Sequence, residues 1–185
     1  MENVKKSIYI IMNDIKIHQI LMVDLRDFKE QLVKSNGELR FNVSFNDMSF
    51  PGFENVESVE LKAINFPKMD NSEMYYILDI EEFSRRLHTS DNRGSHDTFA
   101  IVYYDNSGQS AGHMKPAKGK DFDEKIYVFN PCEKNLSKLH INFKKYGGSV
   151  IQLTDIDASE SPATFLDKYP ISLILDFTII KVKSI

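Results

Sequence analysis

Short alternations of apolar and polar residues through positions 39–104, separated by polar turns, constrain this chain more than anything else in it. Leu39, Phe41, Val43 and Phe45 alternate with Arg40, Asn42 and Ser44, and Val59, Leu61 and Ala63 alternate with Glu60 and Lys62. On an extended backbone successive side chains point to opposite faces, so this period predicts strands with one dry and one wet face. The prediction is an all-β scaffold.

The turn signals come at intervals that suit such a scaffold. Pro51-Gly52 closes the first strand region and residues 67–72 the second, and a polar stretch over 85–97 follows a third strand at 75–80. A fourth strand is expected over 98–104, with Phe99, Ile101 and Tyr103 on one face, and a Gly-, Lys- and Ser-rich loop over 105–124. Strands are then expected at 126–129, at 139–143, at 150–153 after the Gly147-Gly148 turn, and at 171–182. The last of these is apolar on both faces and should be central. About eight strands in one domain predict a sandwich, with a single eight-stranded jelly roll as the favoured arrangement.

Residues 1–36 read differently. The run at 8–12 is apolar but weakly patterned, while Leu21, Leu25, Phe28 and Leu32 share one helical face ahead of a stop at Ser35-Asn36-Gly37. The expected organisation is an N-terminal arm over 1–36, extended or a short helix, and a sandwich over 37–185.

Composition excludes several function classes. A chain of 185 residues with 42% apolar side chains can fill one core without disulfides or metal. With 23 basic against 27 acidic residues the net charge is −4, and the short Lys and Arg clusters are interleaved with acids, so no specific nucleic-acid binding is expected. The single cysteine, Cys132, allows no internal disulfide and is compatible with a reducing compartment. The run at 8–12 is too short for a signal peptide, and no window reaches the length of a membrane span, so a soluble chain made in the cytosol is expected.

A search for chemistry returns little. No Gly-x-Ser-x-Gly elbow is present, and Cys132 follows Pro131 in an expected turn with no nucleophile signature. The five histidines lack zinc spacing. The nearest grouping, His88, His96 and Asp97 with His113 in the next loop, reads as solvated loop residues. Asp79, Glu81 and Glu82 have the residue types of a glycosidase pair, but stand together at a strand end as surface acids do. Gly147-Gly148 lacks the Lys-Ser or Lys-Thr of a phosphate loop. His140 alternates with Leu139 and Ile141, so it faces away from the core. No catalytic residue, cofactor or metal site is expected.

The order of features carries a resemblance. The arm segment Ile20-Leu21-Met22-Val23-Asp24-Leu25-Arg26-Asp27 is followed by the strand Leu39-Arg40-Phe41-Asn42-Val43-Ser44-Phe45, then by Val59, Leu61, Ile64 and Pro67, then by Tyr75-Tyr76. In that order they resemble the single jelly-roll penton and minor capsid proteins of large icosahedral DNA viruses and virophages. The likeness continues loosely through 99–104, 136–143 and 171–180, and departs at Leu25 and in the long 85–97 insertion.

The resemblance implies a structural protein without enzymatic activity, most simply the vertex subunit of a virion capsid. It implies a homopentamer that contacts the major capsid protein and other shell proteins, made and assembled in the host cell. It also assigns Asp24, Arg26 and Asp27 to inter-subunit contacts of the arm. The alternative left open is a β-sandwich binding module for a carbohydrate or protein ligand, with Tyr103, Tyr104 or the 105–124 loop as contact surface.

Overall fold

The computed structural model describes residues 15–45, 52–69, 75–88, 95–103, 114–118, 122–123 and 126–181. These residues hold twelve strands, in two five-stranded antiparallel sheets packed face to face and one hairpin. The first sheet comprises Ile15–Asp24 (β1), Val56–Pro67 (β3), Met114–Lys118 (β8), Ile126–Glu133 (β10) and Ser172–Lys181 (β12). Its order is β1-β12-β3-β10, and β8 shares the far edge of β3 with β10. The second contains Arg40–Ser44 (β2), Tyr75–Ile80 (β4), Ala100–Tyr103 (β7), Phe122–Asp123 (β9) and Lys138–Lys144 (β11), ordered β2-β11-β4-β7-β9. Arg85–His88 (β5) and Ser95–Thr98 (β6) form the hairpin.

The alternation predicted from sequence holds where strands are regular. Leu39, Phe41, Val43 and Phe45 are all buried, as are Leu139, Ile141 and Phe143 beside them on the neighbouring strand β11. Leu173, Leu175, Phe177 and Ile179 line the inner face of β12, which runs between β1 and β3 and is central as expected. Aromatic rings knit the two layers: Phe53 stacks on Phe177 at 4.1 Å between centroids, and Phe66 on Tyr76 at 4.3 Å. Such pairs add roughly 0.5–1.5 kcal/mol beyond their buried area.

Five expectations need correction. Residues 15–36 are not an arm outside the sandwich. β1 pairs antiparallel with β12 over ten residues, a turn of 3-10 helix follows at Leu25–Phe28, and Lys29–Lys34 forms a short helix (α1). Leu25, Phe28 and Leu32 do share a buried face, whereas Leu21 sits on the strand and enters the same core. The helix stops where predicted, with Asn36 and Gly37 at φ of 55° and 89°. Glycine suits this position because its φ of 89° is one that L side chains rarely adopt, and a Cβ would also crowd the Leu153 side chain.

In β3 the register shifts at Lys62, so Ala63 leaves the core face and Ile64 takes its place. Around 98–104 a bend at Phe99 breaks the alternation: Phe99, Ala100 and Val102 are buried, while Ile101 and Tyr103 face outward. The strand expected at 150–153 is two isolated bridges, Val150 with Lys144 and Gln152 with Glu38, followed by a 3-10 turn, Leu153–Asp155. Cys132, expected in a turn, lies half-buried within β10. The polar stretch at 85–97 supplies most of the β5–β6 hairpin, which packs on β4 through β6. Residues 105–113, including His113, and Tyr104 lie outside the described residues.

Candidate functional site

Polar chemistry concentrates on the outer face of the second sheet. Because Leu139, Ile141 and Phe143 turn inward, His140, Asn142 and Lys144 of β11 turn outward. Register then does what sequence distance hides: Asn142 lies across from Arg40 on β2 and from Asp79 on β4. The three side chains form one row over three adjacent strands.

Asp79 is the anchor of this row. It is 2% exposed, a rare state for a carboxylate, and three donors meet it: Lys144 Nζ at 2.6 Å, Asn142 Nδ2 at 3.3 Å and the Ser84 hydroxyl. A buried carboxylate persists only when paired and hydrogen-bonded in this way. Asn142, 4% exposed, divides its amide hydrogens between Asp79 Oδ2 and Glu81 Oε1, each at 3.3 Å. Its Oδ1 is buried and accepts from nothing among the described residues.

A second acid pair lies one turn further along. Glu82 accepts from the His140 backbone N–H at 2.9 Å, and its other oxygen stands 2.6 Å from His140 Nδ1. The 3-10 turn Glu81–Phe83 is thereby tied to β11 by its side chains, while Phe83 plugs into the core behind it. On the far side Gln31 of α1 bonds both the N–H and the carbonyl of Asn42, at 2.6 and 2.8 Å. The amide stands in for a neighbouring strand and covers the open edge of β2.

Two clefts open on this face. One of about 500 Å³ is floored by Asp79, Asn142 and Lys144 and walled by Glu81, Asp97 and Arg40. Another of about 360 Å³, more apolar, adjoins it and shares Arg40, Glu81 and Asn142. Neither presents a nucleophile beside a free base. The hydroxyl of Ser84 is committed to Asp79 and to the Ile80 carbonyl, and His140 is held by Glu82. Among the described residues no three His, Cys, Asp or Glu side chains converge as metal ligands.

Asp24, Arg26 and Asp27, assigned to the arm by resemblance, are placed by the turn that carries the chain from the first sheet to the second. Asp24 ends β1 and caps Leu25–Phe28, accepting from the Arg26 N–H and Nε, each at 3.0 Å. The Arg26 side chain holds the Asp24 carboxyl below its ordinary value, and Asp24 in turn raises Arg26. Asp27 and Arg26 are exposed on this corner. The Asp24–Arg26 pair is accounted for by capping.

Sequence reasoning missed the buried row, reading Asp79 as a surface acid. The signal available was one acid inside the otherwise apolar run of β4, together with three outward polar residues on β11. His88 and His96 stand on the hairpin, and their side chains lie outside the described residues.

The fold and this face define an all-β sandwich with a polar cleft on one sheet and a built ion pair at its floor. No helix among the described residues is long and apolar enough to cross a membrane. Neither a scan against models of protein families nor a search of curated proteins finds a match to this chain.

Proposed function

We propose that this chain is a single jelly-roll capsid protein, the vertex subunit of an icosahedral viral shell, assembling as a homopentamer beside the major capsid protein. The strand order supports the jelly-roll reading: β1-β12-β3-β10 lies against β2-β11-β4-β7, and the chain changes sheet at each connection between them except the one from β4 to β7, which passes through the β5–β6 hairpin. The resemblance of the ordered segments at 20–27, 39–45, 56–67 and 75–80 supports the capsid role.

One observation carries the proposed assembly. The first sheet exposes apolar side chains at both of its edges: Ile20 and Met22 on β1, 62% and 58% exposed, and Ile126 and Val128 on β10, 42% and 58% exposed. A cyclic ring needs two different faces that meet head to tail, and a closed ring leaves neither uncovered. These two edges fit that requirement, with a second copy of the chain as the occupant. The test is a pair of charge substitutions, Met22→Asp and Val128→Asp. Each alone abolishes the ring, and mixing the two yields dimers joined through the one intact pair of faces. Rings that survive either substitution refute the assignment.

The polar cleft favours a second reading, a sandwich that binds a carbohydrate or protein ligand. It predicts a monomer with a saturable ligand at Asn142.

A further inference from the structure

We infer that the edge of β1, with the groove beneath it, is a docking site for an extended segment, residues 8–12, of a second copy of this chain. The inference deepens the assembly proposed above: it rests on copies meeting one another, and not on how many close the ring.

Backbone direction locates the edge. The Leu25 N–H donates to the Ile171 carbonyl at 3.0 Å, and that pair continues the unbroken register in which Asp24 faces Ser172 and Ile15 faces Lys181. Along an antiparallel ladder, residues that exchange hydrogen bonds with the neighbouring strand alternate with residues that turn theirs away. Ile15, Ile17, Gln19, Leu21 and Val23 therefore bond to β12, while the N–H and C=O groups of Lys16, His18, Ile20 and Met22 point off the sheet. No backbone partner meets those four among the described residues. Gln31 covers the edge of β2, whereas β1 runs ten residues with neither a proline nor a bulge to blunt it.

Side chains on both faces of this edge are ready for a strand. On the outer face Ile20 and Met22 are exposed. On the inner face Leu21 and Val23 are buried, but towards the start of the strand Ile15 and Gln19 are exposed. There Ile17, Phe53 and Ile179 line a groove of about 430 Å³ between β1, β12 and residues 52–55. A strand laid along β1 sends alternate side chains to the level of this groove and the others beside Ile20 and Met22. Its backbone supplies the affinity and its alternating apolar side chains the fit.

The chain carries one run of that chemistry without a place in the sandwich, Ile8-Tyr9-Ile10-Ile11-Met12, which lies outside the described residues. Only Asn13 and Asp14 separate it from β1, and that spacing rules out its own edge. A two-residue hairpin would make Ile15 exchange hydrogen bonds with Met12, but the groups of Ile15 face Lys181 of β12. A three-residue loop would put Ile15, a β-branched residue, in the left-handed conformation such loops need at their last position. The run therefore belongs on the β1 of another copy. Within an assembly the donor is tethered, so its effective concentration is high and a short strand suffices.

The full chain carries the test. Hydrogen exchange read at single amides, corrected for intrinsic rates, should find Lys16 and His18 protected. Ile10→Asp should speed both by about tenfold, the size of one backbone hydrogen bond, and leave Ile17 and Gln19, bonded to β12, unchanged. Chains carrying Ile10→benzoylphenylalanine, assembled from light and heavy isotope batches and irradiated, should crosslink a light chain to a heavy one at residues 15–22, 52–55 or 179–181. Crosslinks confined to one chain, crosslinks elsewhere, or open Lys16 and His18 amides each overturn the inference. Light scattering on the same samples keeps the two readings apart. A five-chain ring with open edge amides sinks the inference alone, a dimer with protected amides and light-to-heavy crosslinks sinks the ring alone, and a monomer sinks both.

Discussion

Replacing Lys144 with Met asks how much the buried ion pair under the cleft contributes to the fold. Lys144 Nζ stands 2.6 Å from Asp79 Oδ2, with the two side chains 16% and 3% exposed. Unit charges about 4 Å apart attract by about 4 kcal/mol at the effective dielectric of a partly buried site. Removing the cation leaves Asp79 buried with two neutral donors, Ser84 and Asn142. Breaking one side of a buried pair costs about 3–5 kcal/mol, and the opening of the cleft to water points to the lower end, about 3 kcal/mol. The converse change, Asp79→Asn, leaves a lysine whose long stem can carry the charge to solvent, and should cost about 1–2 kcal/mol. The double variant loses both charges together, so its destabilisation falls short of the sum by about 2 kcal/mol. Urea unfolding followed by far-ultraviolet circular dichroism measures all three. With a slope of roughly 2 kcal/mol/M, the Lys144→Met midpoint drops by about 1.5 M. Additive single variants, or a loss below about 1 kcal/mol for Lys144→Met, would refute the reasoning.

Other perturbations test separate parts of the structure. Phe177→Ala removes a fully buried ring stacked at 4.1 Å on Phe53, and should destabilise by about 3–5 kcal/mol in the same assay. Asp157 is held far below the ordinary carboxylate range by Lys168 first, then by Ser159 and Tyr169. Its folded-state value is depressed, so its contribution is present above the unfolded value of 3.8 and is lost as pH falls below it. Amide exchange over 157–169, corrected for intrinsic rates, should therefore accelerate on acidification below about pH 4, and Asp157→Asn should reduce that dependence, leaving the part due to Glu160, which Lys168 also holds low. Met22→Asp should leave the monomer's stability within about 0.5 kcal/mol, since the side chain is 58% exposed, while dissociating the proposed ring in light scattering.

How much of this was legible in the sequence depended on where each strand lies. Strands with one face sealed, such as those carrying Phe41 and Val43 or Leu139 and Ile141, print their burial directly as alternation. β1 does not, because it is an edge strand: Ile15, Ile20 and Met22 are exposed at 46%, 62% and 58%, so apolar residues fall on both faces and the period is lost. The segment therefore read as an arm. The shift at Lys62 was equally hidden, since a bulge is defined by the partner strand and β12 lies more than a hundred positions away. The same holds for the polar row. Asp79 and Asn142 stand 63 residues apart, and only the β4–β11 register makes a surface acid into a buried, triply bonded one. Alternation did correctly turn His140 away from the core, but nothing local announces that Glu82 holds it.

The oligomeric mass of the purified chain, read by light scattering and paired with negative-stain images, tests the proposed function most directly. A closed five-fold ring of five 21.4 kDa chains is the predicted result. A chain that stays monomeric at every concentration, with Ile20, Met22, Ile126 and Val128 left in solvent, would contradict it.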